Sequence, residues 1–234
     1  MRKPFRFKQF EIYQDQTAMK VGTDGVLLGA WAELKQGEHV LDIGSGTGLI
    51  SLMLAQRFTE ALIDAVELDE SAFNQTNENF LNSKYTDRLA VYQMPIQSYQ
   101  TMKKYDLIVS NPPFFVNNER VELDARKTAR QQETLTFDQL LKKTKELLAE
   151  NGRASFIIPF DLEEQFIIIA KGLNLFPQRL VHIKGNANAP YKRSMIELGL
   201  HLTDPMISTL IIEVDRHQYT EDYIQLTKDF YLKM

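Results

Sequence analysis

Apolar positions along the chain fall into two rhythms. From residue 39, short apolar runs at His39 to Ile43, Leu62 to Glu67, Leu89 to Tyr92 and Tyr105 to Ser110 read as strands. Between them, Leu49 to Phe58 and about Glu70 to Asn82 carry helical spacing. Strands alternating with amphipathic helices predict βαβ units and a parallel sheet. Thr136-Phe137-Asp138-Gln139 has the form of a capping box, so a helix is expected from there to about Glu150, where Asn151-Gly152 ends it. A fifth strand follows at Arg153 to Ile158, stopped by Pro159. A helix over Leu162 to Lys171 precedes strands near Gln178–Lys184, Ser194–Leu202 and Thr209–Glu213, and Thr220 opens a last amphipathic helix.

The start of the chain reads differently. Phe5, Phe7 and Phe10 stand among Arg2, Lys3, Arg6 and Lys8, which suits short half-buried strands, and Asp24 to Leu34 carries a helical stripe. Residues 115–133 and 185–193 show neither rhythm and are expected to be loops. The pattern as a whole predicts an α/β, Rossmann-like fold, with a mostly parallel seven-stranded sheet and helices on both faces. One unit over 1–234 is expected, with 1–35 as an N-terminal extension and 36–234 as the core.

Composition changes this picture by exclusion. The 234 residues contain no cysteine, which removes disulfides, thiolate metal sites, iron–sulfur clusters and cysteine nucleophiles. His39, His182, His201 and His217 are scattered without metal-ligand spacing, so no metal site is expected. A net charge of −4 argues against coating nucleic acid by bulk electrostatics but leaves a local basic patch possible. No apolar run is long enough for a membrane span and no secretory signal opens the chain, so a cytoplasmic protein, a monomer without membrane contact, is expected.

Two segments carry candidate chemistry. Val40-Leu41-Asp42-Ile43-Gly44-Ser45-Gly46-Thr47-Gly48 joins the first strand of the regular region to its helix. Glycines in such a turn allow positive φ and close approach of a ligand to the backbone. A dinucleotide fingerprint would read G-x-G-x-x-G and would receive a pyrophosphate. Here the run is G-x-G-x-G and follows Asp42, which repels anions and suits a ligand bearing a sulfonium and an ammonium. Glu67 ends the second strand, about twenty residues on, where an acid accepts hydrogen bonds from ribose hydroxyls. Asp69 is the alternative, with capping of the next helix as its competing role.

The second segment is Ser110-Asn111-Pro112-Pro113-Phe114, after the fourth strand. Ligands of open α/β sheets bind beyond the carboxyl ends of strands at the topological switch point, so both segments should face one cleft. An exocyclic amino group is a poor nucleophile because its lone pair is delocalised. The Asn111 side-chain oxygen and the Pro112 carbonyl can accept its two N–H bonds and stabilise charge as the nitrogen is alkylated. Pro112 and Pro113 hold that carbonyl in place, and Phe114 can stack on a flipped base.

With these motifs, in this order, the chain resembles class I amino-methyltransferases. Met19-Lys20-Val21-Gly22-Thr23-Asp24-Gly25-Val26-Leu27-Leu28-Gly29-Ala30-Trp31 is more specific: it resembles the N-terminal signature of the bacterial tRNA1(Val) adenine-37 N6-methyltransferases. Likeness in Phe7-Lys8-Gln9-Phe10 and Phe230-Tyr231-Leu232-Lys233-Met234 extends the resemblance over nearly the whole chain. It implies a Rossmann-like methyltransferase that uses S-adenosylmethionine and modifies the adenosine 3′ to the anticodon of a valine tRNA. It assigns Asp42, Gly44, Gly46 and Glu67 to the cofactor, with Ser45, Leu68 and Asn111 beside them, and Asn111 to Phe114 to the target base. Lys20, Thr23 and Asp24 are then expected beside the cofactor's methionine end, although Asp24 also suits a helix N-cap. The acid that commonly follows the third strand is missing from Gln93-Met94-Pro95-Ile96-Gln97, so backbone groups are expected to recognise the adenine instead, with Met94 or Ile96 packing on the ring.

For RNA, the candidate contacts are Arg126, Lys127 and Arg130 after Phe114, and Lys192 and Arg193, where Pro190-Tyr191 adds a stacking ring. The Asn-Pro-Pro-Phe segment by itself leaves guanine N2 and protein glutamine open as acceptors. A nicotinamide-dependent oxidoreductase and a non-catalytic RNA-binding module are the readings from other classes.

Overall fold

The computed structural model describes residues 3–17, 20–113 and 135–233. Two short strands, β1 (Phe5–Arg6) and β2 (Glu11–Ile12), form an antiparallel hairpin. Helix α1 (Thr23–Trp31) follows, and then β3 (His39–Ile43), α2 (Leu49–Arg57), β4 (Leu62–Glu67), α3 (Glu70–Leu81), β5 (Leu89–Gln93) and β6 (Tyr105–Ser110). Beyond residue 135 come α4 (Phe137–Leu147), β7 (Leu148–Pro159), α5 (Glu163–Gly172), β8 (Phe176–Asn186), β9 (Tyr191–Gly199), β10 (Met206–Asp215), β11 (Gln218–Tyr219) and α6 (Glu221–Thr227).

Among the described residues, nine strands form one sheet in the order β11-β10-β8-β9-β7-β6-β3-β4-β5, rather than the seven expected. The additional strands lie at the β10 edge, where the two-residue β11 pairs antiparallel to β10. Strands β5, β4, β3, β6 and β7 run parallel, and β9 is antiparallel to both β7 and β8. Alternating residues divide the core between the two faces. Val40, Ile63, Leu107 and Ile183 pack in one cluster with residues of α1 and α2, whereas Leu41, Val66, Ile108 and Ile196 pack in another with residues of α4 and α5. Helices on both faces of a mostly parallel sheet are the architecture the alternation predicts.

Local signals explain most boundaries. The capping box at Thr136 is formed in both directions with Gln139, and Thr220 caps α6 by accepting the Tyr223 amide. Two expectations change. Asn151-Gly152 does not end a helix: α4 stops at Leu147, and the pair lies within β7, where the register against β6 slips between Tyr105 and Leu107. A Cβ at Gly152 would sit 2.8 Å from the Tyr105 carbonyl oxygen, so the glycine is a close-approach residue of a bulge. Likewise 185–193 is no long loop, because β8 continues to Asn186 and β9 begins at Tyr191. The other expected loop, 115–133, lies outside the described residues.

Candidate active site

Strand β3 lies between β4 and β6, and the chain order reverses there: β4 and β5 are laid down on one side, β6 and β7 on the other. Pairing of Ile43 with Ser110 brings Gly44 and Asn111 side by side at the carboxyl edge of this switch point. The Ser110 hydroxyl fastens the two strand ends by donating to the Ile43 carbonyl at 2.7 Å.

A cavity of about 320 Å³ opens at this place. Lys20, Thr23 and Asp24 border one side, Gly44, Ser45 and Gly46 another, and Asn111 completes the wall. Six of the residues expected around the cofactor, together with Asn111, therefore share one cavity. Gly44 and Gly46 hold φ of +77° and +60°, and a Cβ on either would meet no atom within 4 Å. Side chains there would project into open space that a ligand can fill, so the turn is a cradle as well as a bend.

Asp42 is placed differently from a contact residue. It is completely buried behind the turn and is absent from the described cavity wall. Its Oδ2 accepts from the Ser51 hydroxyl at 2.7 Å, while Oδ1 finds no partner among the described residues. Burial pushes its carboxyl up to about 6, against the lowering by the Ser51 hydroxyl and amide. An incompletely paired acid behind the turn can act on a cationic ligand through space; direct contact is not its geometry.

Glu67 reaches back to the turn. Its Oε2 accepts the Gly46 amide at 2.9 Å, and Oε1 accepts the amides of Leu68 and Asp69 at 2.8 and 2.9 Å. A carboxylate offers about four acceptor positions, so three are already engaged and one remains for a ribose hydroxyl. Acceptance from both hydroxyls, as the sequence suggests, requires release of a backbone amide. Asp69 takes the competing role, capping α3 through the Ala72 amide at 2.8 Å. Leu68 is exposed beside Glu67, and the Met94 amide donates to the Glu67 carbonyl at 3.0 Å. Met94 borders a second cavity, with Tyr92, Tyr99 and Lys103, rather than the cavity of the glycine turn.

Asn111 supplies the most pointed observation. Its Oδ1 is buried and has no hydrogen-bond partner among the described residues, although the residue lines the cavity. Leaving a buried carbonyl oxygen unpaired costs about 1–3 kcal/mol, so this oxygen is open to a donor that enters the cavity. Pro112 is buried and Pro113 exposed next to it. Phe114 lies outside the described residues, as do Arg126, Lys127 and Arg130.

The remaining predicted residues regroup. Lys192 is exposed on β9, but Arg193 turns inward: its Nε donates to Asp24 Oδ2 at 2.7 Å. Asp24 is not a helix cap; Gly22 holds that position, and Asp24 occupies the first turn. Several supporting residues have no counterpart in the sequence reading. Asn79 accepts the Tyr13 amide and donates to the carbonyls of Tyr13 and Thr47, Thr76 donates to the Gly46 carbonyl, and Gln75 accepts the Gln16 amide. The buried face of α3 thus ties the N-terminal segment to the glycine turn.

A doubly wound sheet with a glycine-turn cavity at its switch point, Glu67 bonded across that turn and Asn111 on the cavity wall are the fold and site of a class I methyltransferase that uses S-adenosylmethionine. Residues 18–172 match the family model described as the methyltransferase small domain. A relative from Christiangramia forsetii named tRNA1(Val) (adenine(37)-N6)-methyltransferase is 47% identical, covering 99% of each chain. A Flavobacterium psychrophilum relative of the same name is 46% identical over 98% of this chain and all of its own. Among solved structures, a predicted O-methyltransferase from Agrobacterium tumefaciens superposes with a TM-score of 0.69 at 15% identity, over 88% of this chain and 96% of its own, a likeness of fold. The chain belongs to the methyltransferase small domain family and, within it, to the family of the relatives named tRNA1(Val) (adenine(37)-N6)-methyltransferase.

Proposed function

We propose that this protein methylates N6 of adenosine 37 in tRNA1(Val). The observation that carries the reading is the buried Oδ1 of Asn111, without a partner among the described residues, at the edge of the glycine-turn cavity. S-adenosylmethionine supplies an electrophilic methyl on its sulfonium. Lys20, Thr23 and Asp24 would hold its amino-acid end, the Gly44–Gly46 backbone would cradle it and Glu67 would accept a ribose hydroxyl, with Leu68 beside Glu67 and Met94, which borders the neighbouring cavity, toward the adenine.

Asn111 Oδ1 and the Pro112 carbonyl accept the two N–H groups of the target amine. They hold its nitrogen toward the methyl and stabilise the positive charge that grows there. Buried Pro112 and its neighbour Pro113 fix the carbonyl before the base enters, and Phe114 stacks on the flipped ring. Bound S-adenosylmethionine would supply the methyl that the nitrogen gains, and the amine proton leaves to solvent; no general base is assigned. Arg126, Lys127, Arg130 and Lys192 meet the tRNA backbone, and the enzyme works as a cytoplasmic monomer.

Adenine is favoured over guanine and glutamine by the names of the full-length relatives. The test is methylation of tRNA from cells lacking the protein, followed by mass spectrometry of nucleosides. N6-methyladenosine at the position 3′ to the valine anticodon is expected. Methylguanosine, or label only in protein glutamine, would overturn the reading.

A further inference from the structure

The cofactor cavity is completed from a part of the chain outside the span matched by the methyltransferase family model. That match ends at residue 172, yet Asp24 on the cavity wall is held by Arg193 of β9. The arginine is fixed from several directions. Its backbone lies between β7 and β8, paired with Pro159 on one side and Ile183 on the other, and its Nη1 donates to the Lys192 carbonyl at 2.9 Å. Nε then meets Asp24 Oδ2 at 2.7 Å, with the two side chains 34% and 28% exposed. Asp24 stands in the first turn of α1, where Gly22 holds the N-cap position, and among the described residues its side chain is bonded to Arg193. A carboxylate in that situation rotates into solvent unless a neighbour holds it.

We propose that Arg193 is a positioning residue for the amino-acid end of the cofactor, holding the Asp24 carboxylate on the cavity wall for the ammonium group. The charges on the wall suit this. Asp24 offers its second carboxylate oxygen to the ammonium, and Lys20 on the same wall answers the carboxylate of the same zwitterion. Arg193 thereby moves from the RNA surface, where its charge and its neighbours Tyr191 and Lys192 suggested it belongs, to the support of the cofactor. The inference rests on the proposed reading of the Lys20–Asp24 wall.

Two nucleosides that differ only in the amino-acid end separate the possibilities. Calorimetry with S-adenosylhomocysteine and with 5′-methylthioadenosine is run on the full chain, its Arg193→Met, Arg193→Lys and Asp24→Asn variants, and the Arg193→Met/Asp24→Asn pair. Arg193→Met and Asp24→Asn should each weaken S-adenosylhomocysteine by roughly ten-fold, as expected for removal of one partly exposed charge-assisted hydrogen bond, and leave 5′-methylthioadenosine within two-fold. Arg193→Lys should recover part of the loss, and the pair should bind no more weakly than Asp24→Asn alone, because both changes remove one interaction. If Asp24→Asn weakens S-adenosylhomocysteine and Arg193→Met does not, Arg193 has no positioning role and the inference falls alone. If Asp24→Asn has no effect, the reading of the wall falls and the inference with it. Equal weakening of both nucleosides by Arg193→Met, or a loss confined to tRNA affinity, would also overturn it.

Discussion

Replacing Asp42 by Asn isolates a cost built into the cofactor site. The carboxyl is wholly buried, with one oxygen on the Ser51 hydroxyl and the other unpaired among the described residues, and burial raises it from its ordinary 3.8 to about 6. The folded protein therefore holds this proton more tightly than the unfolded chain does. The stability contributed in this way is complete below about pH 4 and is lost as pH rises through about 6. Integrated over that window, the gap between the two values corresponds to about 3 kcal/mol. Asn cannot titrate, so its own packing and hydrogen bonding enter as a constant. Urea denaturation of both proteins without cofactor, from pH 4.5 to 8, gives the difference in unfolding free energy at each pH. Wild-type stability relative to Asp42→Asn should fall by about 2–3 kcal/mol across the series, mostly below pH 6.5, and then level off. A difference independent of pH would refute the reasoning, and one that grows in favour of wild type as pH rises would reverse its sign.

Other perturbations follow from the same geometry. Glu67→Gln should destabilise the protein even without cofactor, by about 1–3 kcal/mol, because an amide NH₂ must face at least one of the three amides the carboxylate accepts; chemical denaturation of the unliganded variant checks this. Asn79→Ala removes the hydrogen bonds to the Tyr13 amide and to the carbonyls of Tyr13 and Thr47 and should cost about 2–3 kcal/mol in the same assay. Alanine at Lys127, Arg130 and Lys192 together should weaken tRNA binding and lower the slope of log affinity against log salt by about one for each phosphate that is no longer neutralised. An unchanged slope in filter-binding titrations across a salt series would remove these three from the RNA surface.

The elements that position the site were legible because their signals are local. Strands at His39–Ile43, Leu62–Glu67 and Tyr105–Ser110 have the bounds their apolar runs predict, and the glycine turn and Asn111 meet because the switch point follows from strand order. What escaped depends on distant partners. Asp24 and Arg193 lie 169 positions apart, and an arginine beside Lys192 and Tyr191 looks like a solvated or RNA-facing charge until β9 places it over α1. The buried stripe of α3 is Ala72, Gln75, Thr76, Asn79 and Phe80. Its spacing is helical, but its polarity reads as a solvent face, and only the backbone groups of Tyr13, Gln16, Gly46 and Thr47 explain why it is buried. The N-terminal segment packs into the core: Phe7 and Phe10, and Val26 to Leu28 of α1, lie in the same cluster as Val40 and Leu107 of the sheet.

In the proposed reaction the buried oxygen of Asn111, without a partner among the described residues, receives the amine that is methylated. The direct measurement is the single-turnover rate of methyl transfer to tRNA by Asn111→Ala, alongside the affinity of that variant for S-adenosylhomocysteine. The account predicts a rate lower by about 10²–10³-fold, as for loss of a group that stabilises developing charge, with cofactor affinity within a few-fold of wild type. Transfer within two-fold of wild type would contradict it.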